Sequence, residues 1–147
     1  MWWLDQASPA EAMRVLVVSG GAAILWSSLL GFGMLVPMQP WARGWAGKPN
    51  VKPVGSAHLD WIMLALMLGL AAQVLVAFEV RVSWTAIIAL AAGAWLNPLP
   101  YVFRAFGVNA FVLGGPPRQV AAASLGFASS VGIIYGWTAI LIAVAWG

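Results

Sequence analysis

The chain has 147 residues, of which 63% are hydrophobic and only 7% charged, with a formal net charge of +3. A soluble domain averages about a quarter charged residues, so an ordinary soluble class is excluded. Cysteine is absent, which excludes structural disulfides, thiolate zinc sites, covalent c-type haem attachment and a cysteine nucleophile. No basic stripe or aromatic platform lies outside the apolar stretches, so no nucleic-acid partner is expected. The basic residues are read as topology signals and lipid-headgroup contacts.

Four apolar stretches approach the ~20 residues that cross a bilayer. They run over about residues 14–36, 57–78, 83–103 and 120–146. They use nearly the whole chain. The predicted fold is therefore an all-α integral membrane protein, a single four-transmembrane-helix bundle with its termini on the same side. The start, Met1 to Glu11, lacks the basic region of a cleaved signal, so the first span is expected to be retained.

The first span opens with Ser8-Pro9-Ala10-Glu11. A capping serine, a proline in the first turn and a glutamate three residues after the serine form a helix-start signal. Ser19-Gly20-Gly21-Ala22-Ala23 and Gly31-Phe32-Gly33 follow. Small residues at such spacing let another helix approach closely in lipid. The segment from Met38 to Val54 carries Pro40, Pro49 and Pro53 beside Trp41, Arg43, Trp45, Lys48 and Lys52. Its prolines predict a loop, either at the headgroup level or as a lid.

The second span begins at His58. The connection Glu79-Val80-Arg81-Val82 is short, which predicts an antiparallel hairpin of spans two and three. Pro98 and Pro100 should kink or loosen the end of the third span. A loop rich in glycine, asparagine and proline, residues 107–118, leads into the fourth span. Arg43, Lys48, Lys52, Arg104 and Arg118 lie at the two long loops; Arg14 and Arg81 lie opposite. This imbalance predicts that loops 37–54 and 105–118 face the cytoplasm.

His58 is the chain's one histidine. It is the side chain that can bind a metal or move protons near neutral pH. Ionisable residues within a membrane segment are read by default as a site. Topology alone puts His58, Asn97 and Tyr101 at one level, beneath the two long loops. A neutral imidazole can ligate a metal or haem iron. An amide and a phenol can polarise a substrate oxygen without placing a charge in lipid. A single histidine excludes a His-only zinc or di-iron site, whereas haem needs one axial protein ligand. Blander assignments compete: His58 as an interfacial residue, Asn97 as a partner for backbone freed by the prolines, Tyr101 as part of an aromatic belt. Asp60 is read as balancing the N-terminal turn of its span, because two residues of separation point it away from His58.

These residues carry a resemblance. Trp95-Leu96-Asn97-Pro98-Leu99-Pro100-Tyr101 resembles the tryptophan-x-asparagine-x-x-x-tyrosine segment in the third span of styrene oxide isomerase. Ser56-Ala57-His58-Leu59-Asp60 is similar to the Ser-Ala-His-Leu-acidic segment of its relative, hydroxylaminobenzene mutase. Size, four spans and Gly107-Val108-Asn109-Ala110-Phe111 in the third loop also agree. The sequence departs at Leu64, where the isomerase has an asparagine six residues after its histidine, and in the proline pair.

The resemblance implies a homotrimer of the bacterial inner membrane that binds b-type haem, with His58 as the axial iron ligand. Ferric iron would act as a Lewis acid on an epoxide oxygen, and a hydride shift would give an aldehyde. Asp60 leans toward the mutase branch, which rearranges aryl hydroxylamines. Asn97 and Tyr101 would hold a small apolar aromatic or epoxide substrate. A dry pocket would keep water from intercepting the cation. Two alternatives stand beside it: a haem-binding electron-transfer protein, and a non-enzymatic membrane subunit.

Overall fold

The computed structural model describes residues 6–42 and 50–147. Helix α1 (Pro9–Leu35) begins at the expected capping box: the Glu11 amide donates to Ser8 Oγ, and Ser8 N–H donates to the Glu11 carboxylate at 3.0 Å. Two short 3-10 turns follow, Val36–Met38 and Pro40–Ala42. Helix α2 covers Val51–Ala77, and the third crossing is broken into α3 (Trp84–Leu96) and α4 (Leu99–Ala105). Helix α5 runs over Pro117–Trp146. A two-residue strand β1 (Gln6–Ala7) pairs antiparallel with β2 (Val82–Ser83) and ties the start of α1 to the α2–α3 turn.

Four segments are long and apolar enough to cross a membrane: Pro9–Leu35, Val51–Ala77, Trp84–Ala105 and Pro117–Trp146. The chain is a multi-pass, all-α membrane protein. Val18, Leu25, Phe32, Ile134 and Leu141 are exposed on α1 and α5, as a lipid-facing surface requires. Leu16, Leu68, Leu75, Ile87, Leu90 and Ile140 are fully buried between the helices.

Three expectations need correction. The second helix starts at Val51, about two turns before the predicted residue 57. Pro53 does not prevent this, because the first turn of a helix has no intrahelical use for its N–H groups. Asn50 caps the turn, its side chain accepting from Lys52 N at 3.2 Å. His58 thus lies seven residues into α2, about 10 Å from its start. Of the predicted loop, Arg43, Trp45, Lys48 and Pro49 lie outside the described residues.

The second correction concerns pairing. Helix α2 packs mainly along α1, and α3 mainly along α5. The short connection joins α2 and α3, but they touch lightly, and α2 meets the third crossing chiefly at α4. Glycines explain the tight α3–α5 pair: a methyl at Gly136 would lie 2.6 Å from Leu90 Cβ, and one at Gly93 2.7 Å from the Ser129 carbonyl oxygen.

The third correction is Asp60. With the helix start moved back, it sits nine residues beyond Val51 and no longer serves the first turn.

The α2–α3 turn closes in a Schellman arrangement. Val80 N–H donates to Leu75 O, and Glu79 N–H to Val76 O, both at 3.2 Å. Glu79 holds the left-handed position, φ 53°, that glycine usually fills.

Candidate functional site

His58 faces α1. Its Nδ1 lies 2.8 Å from the Ser27 carbonyl oxygen and 2.8 Å from Ser27 Oγ. Ser27 Oγ in turn donates to the His58 carbonyl at 2.6 Å. A carbonyl oxygen only accepts, and the serine hydrogen is already committed. A neutral imidazole would therefore carry its proton on Nδ1 and keep its lone pair on Nε2. Metal-ligating histidines show this arrangement, in which one ring nitrogen is anchored to a carbonyl and the other is free.

The imidazole lies against Gly31. A methyl there would come within 2.8 Å of Cε1 and 3.3 Å of Nε2. Glycine at 31 is what admits the ring. Ser27 and Gly31 continue a stripe on α1 whose buried members are Ala12, Leu16, Gly20, Ala23 and Ser27. The small-residue signal was visible in sequence, but their partner on α2 was not.

Val54 and Trp61 flank His58 on the same side of α2, four residues before and three after. Both line an apolar groove of about 470 Å3 between α1, α2 and the broken third crossing. Trp26, Leu30, Trp95 and Leu99 complete much of its wall. Trp26 and Trp61 meet edge to face with ring centroids 6.0 Å apart. Trp61 Nε1 donates to the Trp95 carbonyl at 3.2 Å, and Trp95 Nε1 donates to Ser19 Oγ at 3.0 Å. The indoles are thus held by hydrogen bonds as well as by packing.

Asp60 points the other way, because residues two apart on a helix differ by about 200°. Its carboxylate accepts from Asn97 Nδ2 at 3.3 Å. Asn97 Oδ1 lies 3.1 Å from Ser129 Oγ and 3.4 Å from Ser130 Oγ. Both hydroxyls also reach the Gly126 carbonyl, at 2.6 and 3.1 Å. Two hydroxyl hydrogens thus serve two acceptors. Asn97 joins α2 to α5 with its side chain, rather than capping the backbone freed by Pro98 and Pro100. The serine pair escaped the sequence reading. A mid-span amide that needs partners was the available signal.

Asn97 and Tyr101 line a second cleft of about 270 Å3, with Phe111, Gly126, Phe127 and Ser130 among its walls. The third loop supplies part of this wall through Ala110, Phe111 and Leu113. Tyr101 and Phe111 meet with centroids 5.0 Å apart at 62°. The Arg104 guanidinium lies 5.9 Å from the Phe111 ring centroid. The structure thus brings Asn97 and Tyr101 to one cleft. Among the described residues, the side-chain hydrogen bonds of His58 go instead to Ser27. Histidine and amide share a level along α2 but face opposite sides of it.

Comparison with models of known protein families, with curated proteins and with solved structures found no match to this chain.

Proposed function

We propose that this is a haem-b-binding isomerase of the bacterial inner membrane, acting on an epoxide or an aryl hydroxylamine. The carrying observation is the imidazole of His58, whose Nδ1 lies 2.8 Å from the Ser27 carbonyl oxygen, so that a neutral ring donates there and keeps its lone pair on Nε2. His58 itself is not among the residues lining the apolar groove, but its helix neighbours Val54 and Trp61 are, and with Trp26 and Trp95 they leave room there for a flat apolar group. His58 would hold the haem iron, and those indoles would hold the macrocycle. When bound, ferric haem supplies Lewis-acid stabilisation of a developing negative charge on oxygen.

The chain's own groups do the rest. Asn97 and Tyr101 offer uncharged donors to a substrate oxygen. Phe111 and Phe127 give the 270 Å3 cleft an aromatic wall. The third loop adds Ala110, Phe111 and Leu113 to this wall; shielding from water there would favour rearrangement over hydrolysis. Within one chain these donors lie across α2 from His58. Isomerisation therefore needs the two sides brought together between protomers, as the homotrimer implied by the resemblance would do. In this reading the termini share one side and loops 37–54 and 105–118 face the cytoplasm.

The same separation favours a second reading, a haem protein that carries electrons without isomerising a substrate. Absorption spectra of purified wild type and His58→Ala test the haem. A Soret band lost in the variant is expected; a colourless wild type that takes up no added hemin sinks both readings. Turnover of styrene oxide and phenylhydroxylamine by coloured protein then divides them. Product formed with the iron held ferric supports the isomerase, and iron cycling with no product supports the carrier.

A further inference from the structure

We propose that Asp60 is a positioning residue, setting the amide of Asn97 so that the cleft takes a small aromatic molecule bearing one hydrogen-bond acceptor. This deepens the substrate half of the proposed function and rests on that reading for the cleft alone, not for haem.

The inference starts from a count of hydrogens. Asn97 Nδ2 carries two, and Asp60 accepts one of them at 3.3 Å. Oδ1 faces the two hydroxyls of Ser129 and Ser130. Turning the amide over would set its oxygen against the Asp60 carboxylate, acceptor against acceptor, so the carboxylate fixes the amide. Among the described residues no acceptor takes the second Nδ2 hydrogen, and Asn97 lines the cleft. That hydrogen is a directed donor in the cleft, beside the Tyr101 hydroxyl.

Tyr101, Phe111, Phe127 and Leu113 give the cleft an apolar and aromatic wall beside its polar groups. A dry apolar cavity of about 150 Å3 already holds benzene, and this cleft measures about 270 Å3. One ring with a short oxygen-bearing substituent matches its size and chemistry. A lipid acyl chain would fill the same volume but leave the donor unmet, which is costly in an apolar setting.

Acetophenone and α-methylstyrene test this. They have nearly the same shape, and only the ketone accepts a hydrogen bond. Their affinities for protein in detergent micelles are compared by ligand-observed NMR, with partition into empty micelles subtracted. Wild type should prefer the ketone by about tenfold, the scale of one directed hydrogen bond. Asp60→Leu should lower that ratio severalfold, to what the Tyr101 hydroxyl alone supports, while leaving the affinity for α-methylstyrene unchanged. Asp60→Asn keeps an acceptor oxygen and should restore most of the preference. A purely structural role would weaken both ligands together and would not be rescued selectively.

Equal binding of the two ligands to wild type, or a full preference in Asp60→Leu, overturns the proposal. Displacement of both ligands alike by a fatty acyl chain, with no ketone preference, identifies the cleft as a lipid groove and also overturns it. Should Asp60→Leu fail to fold, wild type alone decides: an intermolecular NOE from the Asn97 NH2 to the acetophenone methyl is expected, and its absence rejects the assignment. Colourless protein with an intact ketone preference removes only the haem reading.

Discussion

The two sides of α2 solve opposite problems with the same few residue types. Toward α1, a serine and a glycine receive an imidazole and fix its tautomer beside an apolar, tryptophan-lined groove. Toward α4 and α5, an amide receives a carboxylate on one side and two serine hydroxyls on the other, beside a cleft with polar and aromatic walls. Small hydroxyl residues in a membrane helix are thus not generic spacers. Their meaning is set by which titratable side chain of the neighbouring helix they face. The pair His58 and Asp60 shows how two positions of one helix can engage two different helix interfaces at one level.

The strongest way to break this comparison is to damage one side and look for damage on the other. Gly31→Val would drive a side chain into the imidazole, where even a methyl comes within 2.8 Å of Cε1. Overpacking of this kind costs about 1–3 kcal/mol. The thermal midpoint in micelles should fall and the Soret band should fade, with the acetophenone preference kept. Asn97→Leu is the mirror experiment. It leaves Asp60 unpaired, at a cost of about 1–3 kcal/mol, and should lower ketone preference severalfold with colour retained. Loss of both properties in either variant would mean that the two sides are one site.

Smaller changes sharpen the picture within each side. Ser27→Ala removes a hydroxyl from a fully buried position. Interhelical hydrogen bonds in membranes contribute about 0.6 kcal/mol and at most about 1.7, so the midpoint should drop modestly. Colour should survive, because the Ser27 carbonyl still holds the Nδ1 proton; bleaching would show that the hydroxyl fixes the ring. Ser130→Ala should cost less than Ser27→Ala, since its contact with Asn97 is long at 3.4 Å and Ser129 remains. Equilibrium unfolding of the two variants side by side reads this order. The smallest effect lies away from both sites. Glu79→Gly relieves a left-handed residue, partly offset by glycine's freedom in the unfolded chain, for a net gain of about 0.5 kcal/mol. Its midpoint should rise slightly, with both ligand properties untouched.

Hydropathy made the four crossings legible, because 20-odd apolar residues have few other uses. The Ser8 cap and the break at Pro98 and Pro100 were legible for local reasons, a side-chain acceptor and missing donors. The start of α2 was not, because Pro53 reads as a breaker until one knows that it falls in a first turn. That single misplacement carried Asp60 with it: a residue two turns deeper cannot serve as a cap. Asn97 and Tyr101 at one cleft followed from their four-residue spacing. The separation of His58 from Asn97 could not follow, since sequence fixes level along a helix but not which neighbour lies on which side. The pairing of α1 with α2 and of α3 with α5 depends on glycine faces whose partners only the folded chain reveals.

The indole of Trp61 has a consequence for hydration. The helical ladder is interrupted between α3 and α4, and an unmet backbone polar group in hydrocarbon costs several kcal/mol. The Trp95 carbonyl beside this break is met by Trp61 Nε1, the same ring whose face walls the apolar groove. One side chain thereby meets a carbonyl at the break and walls the groove beside it. Phenylalanine at 61 would keep the wall and lose the donor, and the carbonyl would then recruit water to the edge of the groove.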